Sequence, residues 1–299
     1  MTNTTIKYTA NSIQLTETET DELLQKVEEK LFRHNFDTDD HETIASMVES
    51  MGDKRGMTRL KFAERLGIIG KPAVPFLLEA LANHPNPVIR RASAKTLTLI
   101  ADPSAVPNLV YALLHDEDTV VQGSCIGALA RTGEASVPEL LKIIADSDQN
   151  ETIKGHASWA LAFIGSQASE YLYQAINSES LDVRCAVISA LGSLVQEQQD
   201  EQALKILVDS LQDSEPIIRC EAAAILSKVN QPSVVSNLIA SLQDSDAQVR
   251  KAVALALMKI GGENALLPLE NALNQELEAE IKPIFKLAIS QIQRNLDVE

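Results

Sequence analysis

The chain of 299 residues is 45% apolar but only 4% aromatic, and it carries a formal net charge of −16. Ala, Leu, Ile and Val supply enough apolar material for one large or two ordinary domains, and they suit closely packed helices better than a sheet sandwich. The negative charge argues against nucleic acid as the main partner, because reading a phosphate backbone takes a basic footprint.

No apolar run reaches the roughly 18 residues needed to cross a bilayer. Residues 1–15, MTNTTIKYTANSIQL, have neither the basic start nor the apolar stretch of a signal peptide. The expectation is a soluble, cytoplasmic chain without membrane insertion. Cys125, Cys185 and Cys220 are odd in number and far apart. They form neither a disulfide framework nor a CxxC metal site, and buried free thiols are expected.

Residues 1–17 are polar and aperiodic, and a flexible N-terminal tail is expected there. Twelve acids stand against four bases in residues 1–53, so that stretch holds half of the net charge. From Thr20 onward, Leu23, Leu24, Val27 and Leu31 fall on one helical face. Acids crowd the first turn, where the helix dipole favours them. A turn over 35–40 and a second helix over 42–51 complete an acidic pair, 18–52, which caps the remainder.

Residues 53–299 repeat themselves. A basic or polar residue precedes an Ala/Leu-rich run at Arg59, Arg90, Gln122, Lys154, Arg184, Arg219, Arg250 and Lys282, at intervals of 30 to 35 residues. Seven positions later stands Leu, from Leu66 to Leu257, with Ile289 in the last copy. Such a period marks an array of stacked units. Each unit reads as two helices. The first opens on a Pro signature, as in AVPFL at 73–77, AVPNL at 105–109, SVPEL at 136–140 and LLPLE at 266–270; Pro costs nothing in a first helical turn. An acidic turn follows, such as HDEDT at 115–119, whose Asp can cap the second helix and face its Arg. The predicted fold is all-α: a right-handed α-solenoid of about eight short HEAT-like helix pairs, with the second helices lining the concave face.

With the ladder residue as offset 0, offsets −1, 2, 3, 6, 7 and 10 read as the inward stripe, and offsets 1, 4, 5 and 8 as facing the groove. Offset 4 then places Ile126 and Ile188 in the groove, and offset 5 places Glu64, Lys95, Gly127 and Trp159 there. A small, apolar groove with cations at both ends is a binding surface. The alternative is that closely packed second helices need small residues for clearance.

Chemical motifs are scarce. The histidines are His34, His41, His84, His115 and His156, and the one His–Glu pair, His41–Glu42, lies before the array, so no di-metal site is read. No GxSxG, Walker A or GxGxxG motif stands in a strand–helix setting. Glu221 falls at an inward offset, where hydrogen bonding to a turn is expected. Cys185 and Cys220 share offset 1. The stretch KGHASWALAFIG at 154–165 departs furthest from its siblings, with the chain's one Trp, Trp159, beside His156. Its register puts Trp159 in the groove and His156 at an inward offset, where a core-facing, hydrogen-bonded imidazole is expected.

Several phrases resemble the E/F-type phycobilin lyases: GKPAVPFLLEAL at 70–81, HPNPVIRRASAKTL at 84–97, DEDTVVQGS at 116–124, and KGHASWALAFIG itself. The resemblance spans about 52–292. It implies attachment of an open-chain tetrapyrrole, phycoerythrobilin among the candidates, through a thioether to a cysteine of a phycobiliprotein subunit. It also implies a phycobilisome-associated setting on the stromal side of the thylakoid and, in many members, a second lyase subunit or chaperone. No tightly bound cofactor is implied; the phycobilin is the transferred substrate. Some relatives instead isomerise or remove the bilin, or act as chaperones or phycobilisome disassembly adaptors without catalysis. Set beside the groove, such a ligand takes Trp159, Ile126 and Ile188 as its apolar slot. Lys154, Arg90, Arg91, Lys95 or Arg131 would hold its propionates. His156 is the first candidate for moving the proton, with Glu64 and Asp53 as carboxylate alternatives.

Overall fold

The computed structural model describes residues 15–229 and 231–297. The expected tail falls outside these residues except at 15–17, where Thr16 already caps the first helix through a capping box with Glu19. By their contacts the residues form two compact units, one comprising residues up to 143 together with 149–160, the other 144–148 and 161 onward. The division falls in the fourth copy of the repeat, a place that the repeat register does not mark.

The first unit begins with α1 (Glu17–Phe32) and α2 (His41–Ser50), then α3 (Gly56–Ile69), α4 (Val74–Asn83), α5 (Pro87–Ile100), α6 (Val106–His115) and α7 (Thr119–Thr132). Next come α8 (Val137–Ala145) and α9 (Glu151–Ile164), whose residues 137–143 and 151–160 belong to this unit. The second unit contains α10 (Ser169–Ala175), α11 (Leu181–Gln198), α12 (Glu201–Asp209), α13 (Pro216–Val229), α14 (Val235–Ala240), α15 (Ala247–Ile260), α16 (Leu266–Gln275) and α17 (Lys282–Leu296). Among the described residues there is no strand, and no single helix is long and apolar enough to cross a membrane. All-α repeats were the expectation, and the helix pairs follow the predicted register.

The turn chemistry explains the regularity. Pro75 and Pro107 stand in the first turns of α4 and α6, where a missing N–H leaves no bond unmade. Asn86, Asp118 and Asp246 cap α5, α7 and α15 by accepting backbone N–H groups. Gly133 closes α7 at φ 72°, a left-handed conformation that a side chain would strain.

Packing follows two directions. Each first helix lies on its second helix, as α4 does on α5, α6 on α7, and α16 on α17; successive second helices also pack on one another, as α3, α5 and α7 in one unit and α11, α13, α15 and α17 in the other. A second helix is therefore buried on more than one side. Leu66, Leu97 and Leu129, at offset 7, are almost fully buried, and truncating such a Leu to Ala costs about 2–5 kcal/mol.

Offset 4 is buried in the middle of the array, at Ala94, Ile126, Ile188, Ala223 and Ala254, whereas Ala63 and Ser158 are half-buried and Lys286 in the last copy is exposed. One turn further on, at offset 8, a Cβ added to Gly192 would lie 2.4 Å from Cγ2 of Ile225 on the next second helix. These positions provide clearance between helices, which corrects the expectation that offsets 4 and 8 face a groove. The exposed strip is narrower and runs along offsets 1, 5 and 9.

Candidate functional site

In the first unit this strip is made by Leu60, Glu64 and Ile68 on α3, Arg91, Lys95 and Leu99 on α5, Gly123, Gly127 and Arg131 on α7, and Gly155 and Trp159 on α9. Trp159 is 53% exposed, an unusual position for so large an apolar ring. Ile68, Leu60 and Leu99 are exposed as well. Gly123, Gly127 and Gly155 stand in helix interiors with nothing within 4 Å of the place a Cβ would occupy. Internal packing therefore does not require them, although each costs a helix about 1 kcal/mol relative to Ala.

The candidate cations divide into two groups. Arg90 and Arg91 are committed: Arg90 grips Asp116 from Nε at 2.8 Å, and Arg91 donates from Nε to Asp118 at 2.9 Å. The second bond from Arg91 holds the Asp118 carboxyl down at about 2. Lys154 is buried, with Glu151 3.8 Å away. Lys95 and Arg131, by contrast, are exposed and form no ion pair among the described residues. They are the cations of this strip with charge to offer a ligand.

The candidate acid–base residues are placed differently from one another. His156 is exposed, a correction to the core-facing position expected for it. Offset 2 lies at the edge of the buried stripe: Ala186 is buried there in α11, whereas Ala92, Ser124 and Glu221 are only partly covered. Glu64 is half exposed on α3, 3.7 Å from Arg65. Asp53 lies off the strip, in the turn before α3, where Arg55 donates to it from Nε at 3.1 Å and Nη2 at 2.9 Å. Those bonds lower its pKa, which leaves it a weak base at neutral pH. Asp53 lines a turn-edge cleft of about 600 Å³ with His84 and Glu49. Ile126 and Ile188 are buried and offer nothing to a ligand.

The cysteines are poor nucleophiles. Burial pushes the Cys125 thiol up to about 12 and the Cys185 thiol to about 11, and it raises that of Cys220. The thiolate is the reactive form, so the acceptor of any thioether chemistry must come from elsewhere. Sequence reasoning placed Gly127 in the groove but missed Gly123 and Gly155 and the exposed leucine and isoleucine of offset 9. A count of exposed-side glycines inside helices would have found the former.

The strip thus offers a low floor, an exposed indole and two unpaired cations, an arrangement suited to a flat, conjugated molecule bearing acids. The class is plain from the fold: the HEAT-repeat family matches at residues 74–162, 137–219 and 206–283. The bilin biosynthesis protein MpeU of Synechococcus sp. (strain WH8020) is 38% identical over 282 residues, 94% of this chain and 95% of that protein. An uncharacterised phycocyanin operon protein Z of Pseudanabaena tenuis (strain PCC 7409) is 26% identical over 141 residues, 44% of this chain and 66% of that protein. The complex of CpcE and CpcF of phycocyanin lyase from Nostoc sp. PCC7120 aligns over 96% of this chain and 98% of that one, at 16% identity and a TM-score of 0.34. The chain belongs to the HEAT-repeat proteins and, within them, to the E/F-type phycobilin lyase family.

Proposed function

We propose that the protein attaches an open-chain tetrapyrrole to a cysteine of a phycobiliprotein subunit through a thioether. The relationship to a bilin biosynthesis protein along nearly the whole of both chains carries the proposal. The exposed strip of the first unit supports it. Trp159 stacks on the conjugated plate, and the helix backbone at Gly123, Gly127 and Gly155 lets the plate approach closely. Lys95 and Arg131 take the two propionates.

In the addition, the acceptor sulfur bonds to the ring-A ethylidene carbon and the double bond is lost. The proton leaving the thiol is matched by one gained at the ring carbon, so no oxidant or reductant is needed. His156, exposed on the same helix as Trp159, is the group that relays this proton, with Glu64 as the carboxylate alternative. The bilin is a transferred substrate, the acceptor is a phycobiliprotein subunit, and the setting is the cytoplasmic, phycobilisome-bearing side of the membrane. A second lyase subunit completes the active form. The alternative is a chaperone that holds the subunit without catalysis. It is favoured by one observation: among the described residues no side chain orients His156.

The test is coexpression with a bilin-synthesis pathway, candidate acceptor subunits and candidate lyase partners, followed by denaturing gels viewed by zinc-enhanced fluorescence. A fluorescent covalent subunit that depends on this protein is expected. Tight subunit binding with no adduct in any combination overturns the lyase in favour of the chaperone.

A further inference from the structure

We propose that the second-helix face of α15 and α17 is the docking surface for an acidic amphipathic helix of a partner protein. This face belongs to the second unit and does not rest on the proposed chemistry. The chain as a whole has 42 acids against 26 bases, yet neither α15 nor α17 contains one acidic residue. The two helices carry Arg250, Lys251 and Lys259, and Lys282, Lys286 and Arg294. Arg250 is bound to Glu276 at 2.8 Å. The other five form no ion pair among the described residues. Asp246 precedes α15 and Asp297 follows α17, while Glu276, the partner of Arg250, stands with Glu278 and Glu280 in the segment before α17.

Between these cations stand two apolar side chains at the same register position, Leu255 and Leu287, 37% and 51% exposed. Since α15 packs on α17, their axes run about 8–10 Å apart. A helix laid across both would place residues i and i+7, about 10.5 Å apart, over the two leucines. Its acidic flanks would then meet Lys251, Lys259 and Lys286. The apolar pair matched by helical spacing, rimmed by charge of one sign, is the pattern of helix-in-groove recognition.

Other polyanions fit less well. A nucleic acid would meet the negative field of the rest of the chain, and this face lacks the exposed aromatic rings on which bases stack, because Phe285 is fully buried. Two leucines are too few to hold the protein on a bilayer surface.

The test uses the full-length protein and a fluorescein-labelled peptide of about 18 residues, roughly 27 Å of helix, with Leu at i, i+3 and i+7 and Glu elsewhere. Fluorescence anisotropy should show binding that weakens about tenfold when salt rises from about 50 to 300 mM. Lys251→Glu with Lys286→Glu should weaken it by about tenfold or more at low salt. Leu255→Ser with Leu287→Ser should weaken it by a similar factor at both salt levels. Thermal melts of both double variants should match the parent, which keeps loss of fold apart from loss of binding. Equal binding of the same peptide with Lys in place of Glu overturns the proposal, as does binding that ignores both double variants. Tighter capture of phosphatidylserine vesicles or of an oligonucleotide also overturns it. So does self-association in sedimentation equilibrium that disappears with Lys286→Glu.

Discussion

Arg90 holds Asp116 with two parallel bonds, Nε to Oδ2 at 2.8 Å and Nη2 to Oδ1 at 3.0 Å, while its Nη1 donates to the carbonyl of His84. The carbonyl belongs to the turn that leads into Arg90's own helix, and the carboxylate to the turn of the following copy. Arg219 repeats the arrangement with Asp213 O and Asp244, and Arg250 with Asp244 O and Glu276. The ladder arginine is therefore a clamp between consecutive turns, where its fork satisfies two partners that a lysine could not.

Breaking a clamp should cost stability. Arg219 and Asp244 are almost fully covered, and removing one partner of such a pair strands the other, at about 3 kcal/mol. Arg219→Ala should lower the melting temperature of the second unit clearly, and Arg219→Lys should recover only part of the loss. Arg131→Ala, at an exposed position of the first unit without an ion-pair partner, should change stability by no more than about 0.5 kcal/mol. Equal melting of all three variants would show that the clamps are not structural.

The Arg250 clamp and the Arg91–Asp118 pair make the fold acid-sensitive. Hydrogen bonds from Arg250 hold the Glu276 carboxyl at about 2, and those from Arg91 do the same for Asp118. Both folded values lie below the unfolded ones, so the unfolded chain binds more protons as the pH falls. The stabilisation is complete above about pH 4.5 and is lost on the way down to about pH 2. Melting temperature should fall across that window, and Glu276→Gln should be less stable at pH 7 yet flatter below pH 4.5. An unchanged acid slope in that variant would remove the role of this pair.

On the exposed strip the prediction concerns activity with stability unchanged. Trp159→Ala should reduce bilin attachment about tenfold, the usual worth of one stacking platform. Lys95→Ala and Arg131→Ala should each weaken bilin binding by a similar factor. Tyr111→Ala is the control, an exposed aromatic on a first helix stacked on His115. Covalent yield on zinc-stained gels and absorption titration with free bilin provide the readout. Full yield from all three variants would place the bilin elsewhere.

Much of this was visible in the sequence. The repeat register, the Pro-bearing first turns and the capping Asp each follow from local chemistry, and so does the outward position of Trp159. Ile126 and His156 were misplaced for one reason. A helical wheel assumes one buried stripe, but a second helix in a stacked array is covered by its first helix and by its neighbours in the row. Offset 4 is thereby buried at Ile126 and Ile188, and the edge of the stripe at offset 2 becomes open in α9. The Arg90–Asp116 pairing was illegible for another reason, since spacing does not say whether an arginine faces its own turn or the next.

Glycine provides the sharpest contrast between the two kinds of small residue on a second helix. At Gly192 an added Cβ would collide with Ile225 at 2.4 Å, so Gly192→Ala should destabilise by about 1–3 kcal/mol through overpacking. At Gly127 the added methyl meets nothing within 4 Å, so Gly127→Ala should stabilise by about 0.5–1 kcal/mol by relieving helix entropy. If the backbone there is the floor for a flat ligand, stability and function must move in opposite directions. Gly127→Leu should then melt no lower than the parent while losing most of its bilin attachment. Thermal melts and zinc-stained yields measured on the same preparations decide it: a Gly127→Leu variant with full yield would show that nothing approaches this floor closely.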